Sequence, residues 1–66
     1  MIHILTDREK ELLQAIADGE SQKAFAARMF YSYQATKNRM LIIFEKLNAE
    51  NTPHAVAIAL RQGLIH

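Results

Sequence analysis

The chain has 66 residues, a formal net charge of +1, 50% hydrophobic residues and no cysteine. A disulfide framework and a thiolate zinc site are thereby excluded, and a single domain spanning residues 1–66 is expected, small enough for oligomerisation to be the remaining route to extra stability. No apolar run approaches the roughly 20 residues that span a bilayer, and Met1-Ile2-His3-Ile4-Leu5 has neither a basic leader nor a cleavage site, so a soluble cytoplasmic protein is expected.

Thr6-Asp7-Arg8-Glu9 fits a capping box, in which the threonine hydroxyl accepts from the Glu9 amide and the glutamate reaches back to the Thr6 amide. Leu12, Leu13 and Ile16 follow at helical spacing, and Gly19 supplies a residue free to turn left-handed, so a first helix spans about residues 7–18. Ser21 is the next cap, and Phe25, Ala26 and Met29 give one apolar face to a short helix of about residues 22–29. Phe30 and Tyr31 carry apolar area without a stop signal, and Ser32 opens a third helix of about residues 33–47, which Asn48 ends. Two short helices around so tight a connection make a helix-turn-helix pattern. Thr52 caps the last helix, about residues 53–62, with Pro53 at its first position and Ala55, Val56, Ala59 and Leu60 on one face. Gly63 closes it, and Leu64 and Ile65 can fold back over the core. No segment alternates with period two, so the fold class is all-α, with four helices.

The third helix divides by angle. At about 100° per residue, with Thr36 at zero, Met40, Ile43, Phe44 and Leu47 fall within about 80° of it and face the core, with Tyr33 at their edge. Gln34, Asn38 and Glu45 point away, and Leu41 and Ile42 flank them, so the run Met40-Leu41-Ile42-Ile43-Phe44 is only partly core.

Charge is uneven along the chain. Asp7, Glu9, Glu11, Asp18 and Glu20 against Arg8 and Lys10 leave residues 1–20 at −3, whereas Lys23, Arg28, Lys37, Arg39 and Lys46 against Glu45 leave residues 21–47 at +4. Such a distribution is the footprint expected of a polyanion-binding element on a nearly neutral domain.

Leu5-Thr6-x-Arg8-Glu9-x-Glu11, Ile16-Ala17-x-Gly19-x-Ser21-x-Lys23, Ala26, Ser32, Lys37, Ile43, Lys46-Leu47, Asn51, Ala55-Val56, Ala59 and Gly63-Leu64-Ile65 run without a gap, and in this order and spacing the chain resembles the LuxR/FixJ/GerE type of helix-turn-helix transcription regulator. The resemblance implies that the second and third helices form the helix-turn-helix, that the third lies in the DNA major groove, that the fourth makes a dimer contact, and that Lys23 and Lys37 occupy positions that commonly touch DNA. Starting at Met1 just ahead of this module, the chain is expected to be a free-standing effector domain, laid out like GerE-type proteins, or an excised part of a longer regulator. Ala35, Thr36 and Arg39 depart from the family's usual Thr, Val and His, and Ala24 stands where glutamate is common.

The expected function is therefore sequence-specific binding of double-stranded DNA by a transcription regulator acting as a homodimer. Gln34 and Asn38, one turn apart, carry amides able to pair bidentately with adenine, and Lys37 can reach guanine or phosphate. Arg39 and Lys46 on one flank can reach a phosphate strand, as can Lys23 and Arg28 on the second helix. Leu41 and Ile42 have three readings: ordinary exposed apolar residues, contacts to thymine methyl groups, or a protein-binding patch. The less buried side of the last helix, His54, Ala57, Ile58 and Arg61, is the candidate dimer contact. The alternative is a protein-interaction module, such as an antagonist of a regulator, that keeps the fold with weak or no DNA binding. No glycine-rich phosphate loop or close carboxylate pair suggests an enzyme. His3, His54 and His66 lack ligand spacing and read as surface histidines, so neither metal nor cofactor is expected.

Overall fold

The computed structural model describes residues 5–66, which form α1 (Asp7–Ala17), α2 (Gln22–Arg28), α3 (Tyr33–Leu47) and α4 (Thr52–Arg61). Among the described residues there is no strand. His3 lies outside them.

Each helix begins where a short polar side chain meets the amide three residues on. Thr6 and Glu9 complete the capping box in both directions, with the Thr6 amide donating to Glu9 Oε1 at 2.8 Å. Ser21 accepts from the Ala24 amide and Ser32 from the Ala35 amide, both at 3.0 Å. The fourth cap differs from expectation. Asn51, not Thr52, is in the extended conformation of a cap and accepts from the His54 amide at 2.9 Å. Its amide oxygen fills the place expected of the threonine hydroxyl, and Pro53 moves one position into the helix, where its missing N–H is still one that would find no intrahelical partner. The His54 ring nitrogen Nδ1 accepts from the amide of Glu50, the residue before the cap, at 3.1 Å, which ties the approaching chain to the first turn.

Each helix ends on a left-handed residue. Gly19 (φ 100°), Phe30 (φ 60°), Asn48 (φ 55°) and Gly63 (φ 72°) reverse the chain. After each, the next amide returns to a carbonyl five residues back: Glu20 to Ala15, Tyr31 to Ala26, Ala49 to Phe44 and Leu64 to Ala59, at 2.8–2.9 Å. Gly19 does this without a Cβ penalty. Phe30 does not, and an aromatic residue at that dihedral is what the sequence failed to announce as a stop.

The core gathers Leu5, Leu12, Leu13, Phe25, Met40, Ile43, Ala55, Ala59 and Ile65. Met40 and Ile43 are buried as the helical angles require, and Phe44 and Leu47 pack against them. Thr36, at a core position, keeps its hydroxyl satisfied by donating to the Ser32 carbonyl at 3.2 Å. Leu60 corrects the expected face of α4. The buried line runs through Ala55 and Ala59, two small residues that let α4 approach closely, and Leu60, about 100° beyond Ala59, is 48% exposed. Ile65 does fold back into the core, and the terminal strap is fixed because Gln14 on α1 both receives the His66 amide, at 2.8 Å, and donates to the His66 carbonyl.

Candidate nucleic-acid interface

The joint between α2 and α3 is four residues long, from the cap Met29 to the cap Ser32, and it leaves the outer side of α3 uncovered. On that side Gln34 Nε2 donates to Asn38 Oδ1 at 3.0 Å, so the two amides stand as one hydrogen-bonded unit one turn apart. Lys37 lies beside them with its ammonium 5.3 Å from the Tyr33 ring centroid, near enough to be steadied by the ring's negative face. Gln34, Lys37, Asn38 and Leu41 line one shallow depression together with Gln22 of α2 and Thr52 of α4. Leu41 is 61% exposed and Ile42 40% exposed, the outward placement that the helical angles require.

The basic stretch is less free than its charge suggests. Arg28 is held by Glu20 in a two-pronged ion pair, Nε to Oε2 at 2.9 Å and Nη2 to Oε1 at 2.8 Å. Lys46 meets Oε1 of the fully buried Glu9 at 2.7 Å, and Arg39 Nη1 stands 3.6 Å from the other oxygen. Three cations placed near phosphate by sequence thus face an acid of the protein itself, though Arg39 remains half exposed. Lys23 and Lys37 form no ion pair among the described residues, and both are exposed.

Glu9, expected as a cap alone, also ties α1 to α3 through Lys46. Its spacing gives it away: it lies three residues before Leu12 and four before Leu13, on the stripe α1 turns inward. Burial alone would push its carboxyl up. The hydrogen bond from Lys46, those from Thr6 and the Lys46 charge outweigh burial and hold it below its ordinary 4.5. Oε2 has no hydrogen-bond partner among the described residues.

On α4, His54, Ile58 and Arg61 line a second depression together with Leu47 of α3 and its cap Asn48, while Ala57 is half-buried on the same helix. No helix among the described residues is long and apolar enough to cross a membrane. No group of three or more acidic, histidine or cysteine residues among them could hold a metal ion.

Two helices at a tight turn, the second longer and baring a polar face, with two more packed behind them, define a helix-turn-helix domain. The profile of the bacterial regulatory proteins of the luxR family, GerE, matches residues 3–59, and the chain belongs to that family. The solved structure of the transcription factor GerE superimposes with a TM-score of 0.88, at 26% identity over 94% of this chain and 92% of that one. The transcriptional regulatory protein DegU of Brevibacillus brevis is 33% identical over 97% of this chain and 27% of its own length. The transcriptional regulatory protein YdfI of Bacillus subtilis is 38% identical over 92% and 29%. The chain therefore spans under a third of the length of these two relatives.

Proposed function

We propose that residues 1–66 act as one sequence-specific, double-stranded DNA-binding domain of a cytoplasmic transcription regulator, with α3 seated in the major groove. The observation that carries this reading is the hydrogen-bonded Gln34–Asn38 pair on the uncovered side of α3 with Lys37 beside it. A donor and an acceptor in fixed relation are what the adenine edge in the major groove calls for. The exposed ammonium groups of Lys23 and Lys37, which form no ion pair among the described residues, supply phosphate contacts, which set position and salt dependence without reading sequence. Arg39 completes one flank, and Lys46 contributes by fixing α3 onto α1. Recognition of a two-fold related site by a homodimer through His54, Ala57, Ile58 and Arg61 suits a domain with so few free cations, since pairing doubles them.

Selection from random duplexes followed by binding titrations at several salt concentrations tests the reading. Lys23→Ala with Lys37→Ala weakens binding to all sequences and lowers the salt slope by about 2, whereas Asn38→Ala relaxes preference at one base pair. Unchanged titrations for these variants would remove α3 from the groove. Light scattering of the DNA complex tests the pairing of two chains.

The exposed Leu41 and the tied-up Arg28 and Lys46 favour a second reading, a domain that uses the same fold to hold a protein partner at Leu41 and Ile42. Absence of duplex binding even at low salt, with saturable capture of a partner regulator, distinguishes it.

A further inference from the structure

A cavity of about 280 Å³ opens between α1, the joint and α3, on the flank of α3 away from Lys37. Leu12 and Phe25, both core residues, form its apolar depth, and Ala35 and Thr36 form its α3 wall. Its rim is cationic: Arg8 comes from α1 and Arg39 from α3, and Tyr31 lies between. No acidic residue among the described ones lines it.

The rim is organised. The Arg8 guanidinium hydrogen-bonds the Tyr31 hydroxyl and lies 5.9 Å from that ring's centroid. The Tyr31 ring meets Phe25 at 6.4 Å with the planes tilted by 56°, making an aromatic corner at the mouth. Arg39 forms no hydrogen bond among the described residues, its Glu9 contact at 3.6 Å being too long for one. Its forked donors are therefore available on the cavity side, while the buried Oε2 of Glu9 sits behind and holds the positive head in place.

We propose that this cavity binds a small organic carboxylate with a compact apolar body of about six carbons, ring-shaped or branched. The body lies against Tyr31 and Ala35, above the floor that the buried Leu12 and Phe25 close, and the carboxylate bridges the guanidinium groups of Arg8 and Arg39, whose planar donors match it. A cavity near the lower end of ligand-site size excludes larger acids and makes the affinity modest.

Benzoate, cyclohexanecarboxylate, the neutral benzamide and inorganic phosphate are titrated into the isotope-labelled chain, and amide shifts are read by NMR. Both carboxylates move the amides of Leu12, Phe25, Tyr31, Ala35 and Arg39 with one saturating curve at millimolar concentration. Benzamide binds about tenfold more weakly, as does benzoate to Arg39→Gln, the step expected for loss of one charge-assisted contact. Ala35→Leu fills the cavity from an exposed helical position where leucine is a good helix former, and it abolishes the response while the spectrum stays folded. The proposal is overturned if benzoate gives no saturable shift, if the shifts map elsewhere, if Ala35→Leu still binds, or if phosphate saturates the same amides as well as benzoate does. A second readout rests on the DNA-binding reading: a bound carboxylate withdraws Arg39 from the phosphate strand, so benzoate weakens duplex binding of the native chain but not of Ala35→Leu. The NMR arm does not depend on DNA, so failure of either reading shows separately.

Discussion

Glu9 and Lys46 stand 37 residues apart in the chain and 2.7 Å apart in the fold, joining the first turn of α1 to the last turn of α3. Glu9 is fully buried and Lys46 is not, so the two partners are not equivalent. Lys46→Met leaves a buried carboxylate with only the more distant Arg39 opposite it, and we expect a loss of about 2–4 kcal/mol near neutral pH. Glu9→Gln removes the buried charge yet keeps a side chain that can complete the capping box, and its cost should be smaller, about 1–2 kcal/mol. Urea denaturation of both variants checks the order. Equal losses would show that leaving the buried carboxylate without Lys46 carries no penalty of its own.

The same carboxyl sets an acid limit on stability. Its value in the fold lies below the ordinary 4.5, so the unfolded chain takes up the proton more readily. The stabilisation is complete above about 4.5 and is lost as pH falls through the lower, folded-state value. Glu20, held down by its hydrogen bonds to Arg28, adds in the same direction. Melting temperature should fall as pH is lowered below 4.5, and less steeply for Glu9→Gln than for the native chain.

Asn51→Ala should cost about 1 kcal/mol through loss of the α4 cap, and Thr52→Ala only a few tenths. The two melting curves, taken side by side, distinguish the observed cap from the expected one.

Phe30 is 96% exposed at a φ of 60°, so it carries backbone strain and buries almost nothing. Phe30→Gly should stabilise the domain by about 0.5–1 kcal/mol, the relief of strain exceeding the added freedom of the unfolded chain. A fall in melting temperature instead would reveal contacts of Phe30 in solution.

Leu41→Lys puts a cation on the proposed groove-facing side. On the DNA-binding reading it raises affinity for all duplexes and steepens the salt slope by about 1, with any preference for thymine at that position lost. A fall in affinity across all sequences would count against that reading.

The architecture was largely legible in the residues. Thr6 with Glu9, Ser21 and Ser32 are local signals, complete within four residues, and they placed three helix starts. The angular division of α3 was legible for the same reason, since a rigid helix fixes which side chains share a face. Asn51 and Thr52 stand side by side and both residue types cap well, so the sequence does not choose between them. Leu60 reads as inward from the sequence because a helical stripe admits several apolar edges, and the closeness allowed by Ala55 and Ala59 selects one. The pairing of Lys46 with Glu9 and of Arg28 with Glu20 depends on tertiary approach and turn geometry, which a count of charges along the chain does not contain.

The four left-handed joints bear on how quickly the domain assembles. Each corner is closed by backbone hydrogen bonds spanning no more than five residues, so the chain's changes of direction can form before distant parts meet. With the corners formed locally, folding consists mainly of bringing four short rods together. Such a search should finish in a time on the order of microseconds to milliseconds, in the range of other small helical proteins rich in local contacts.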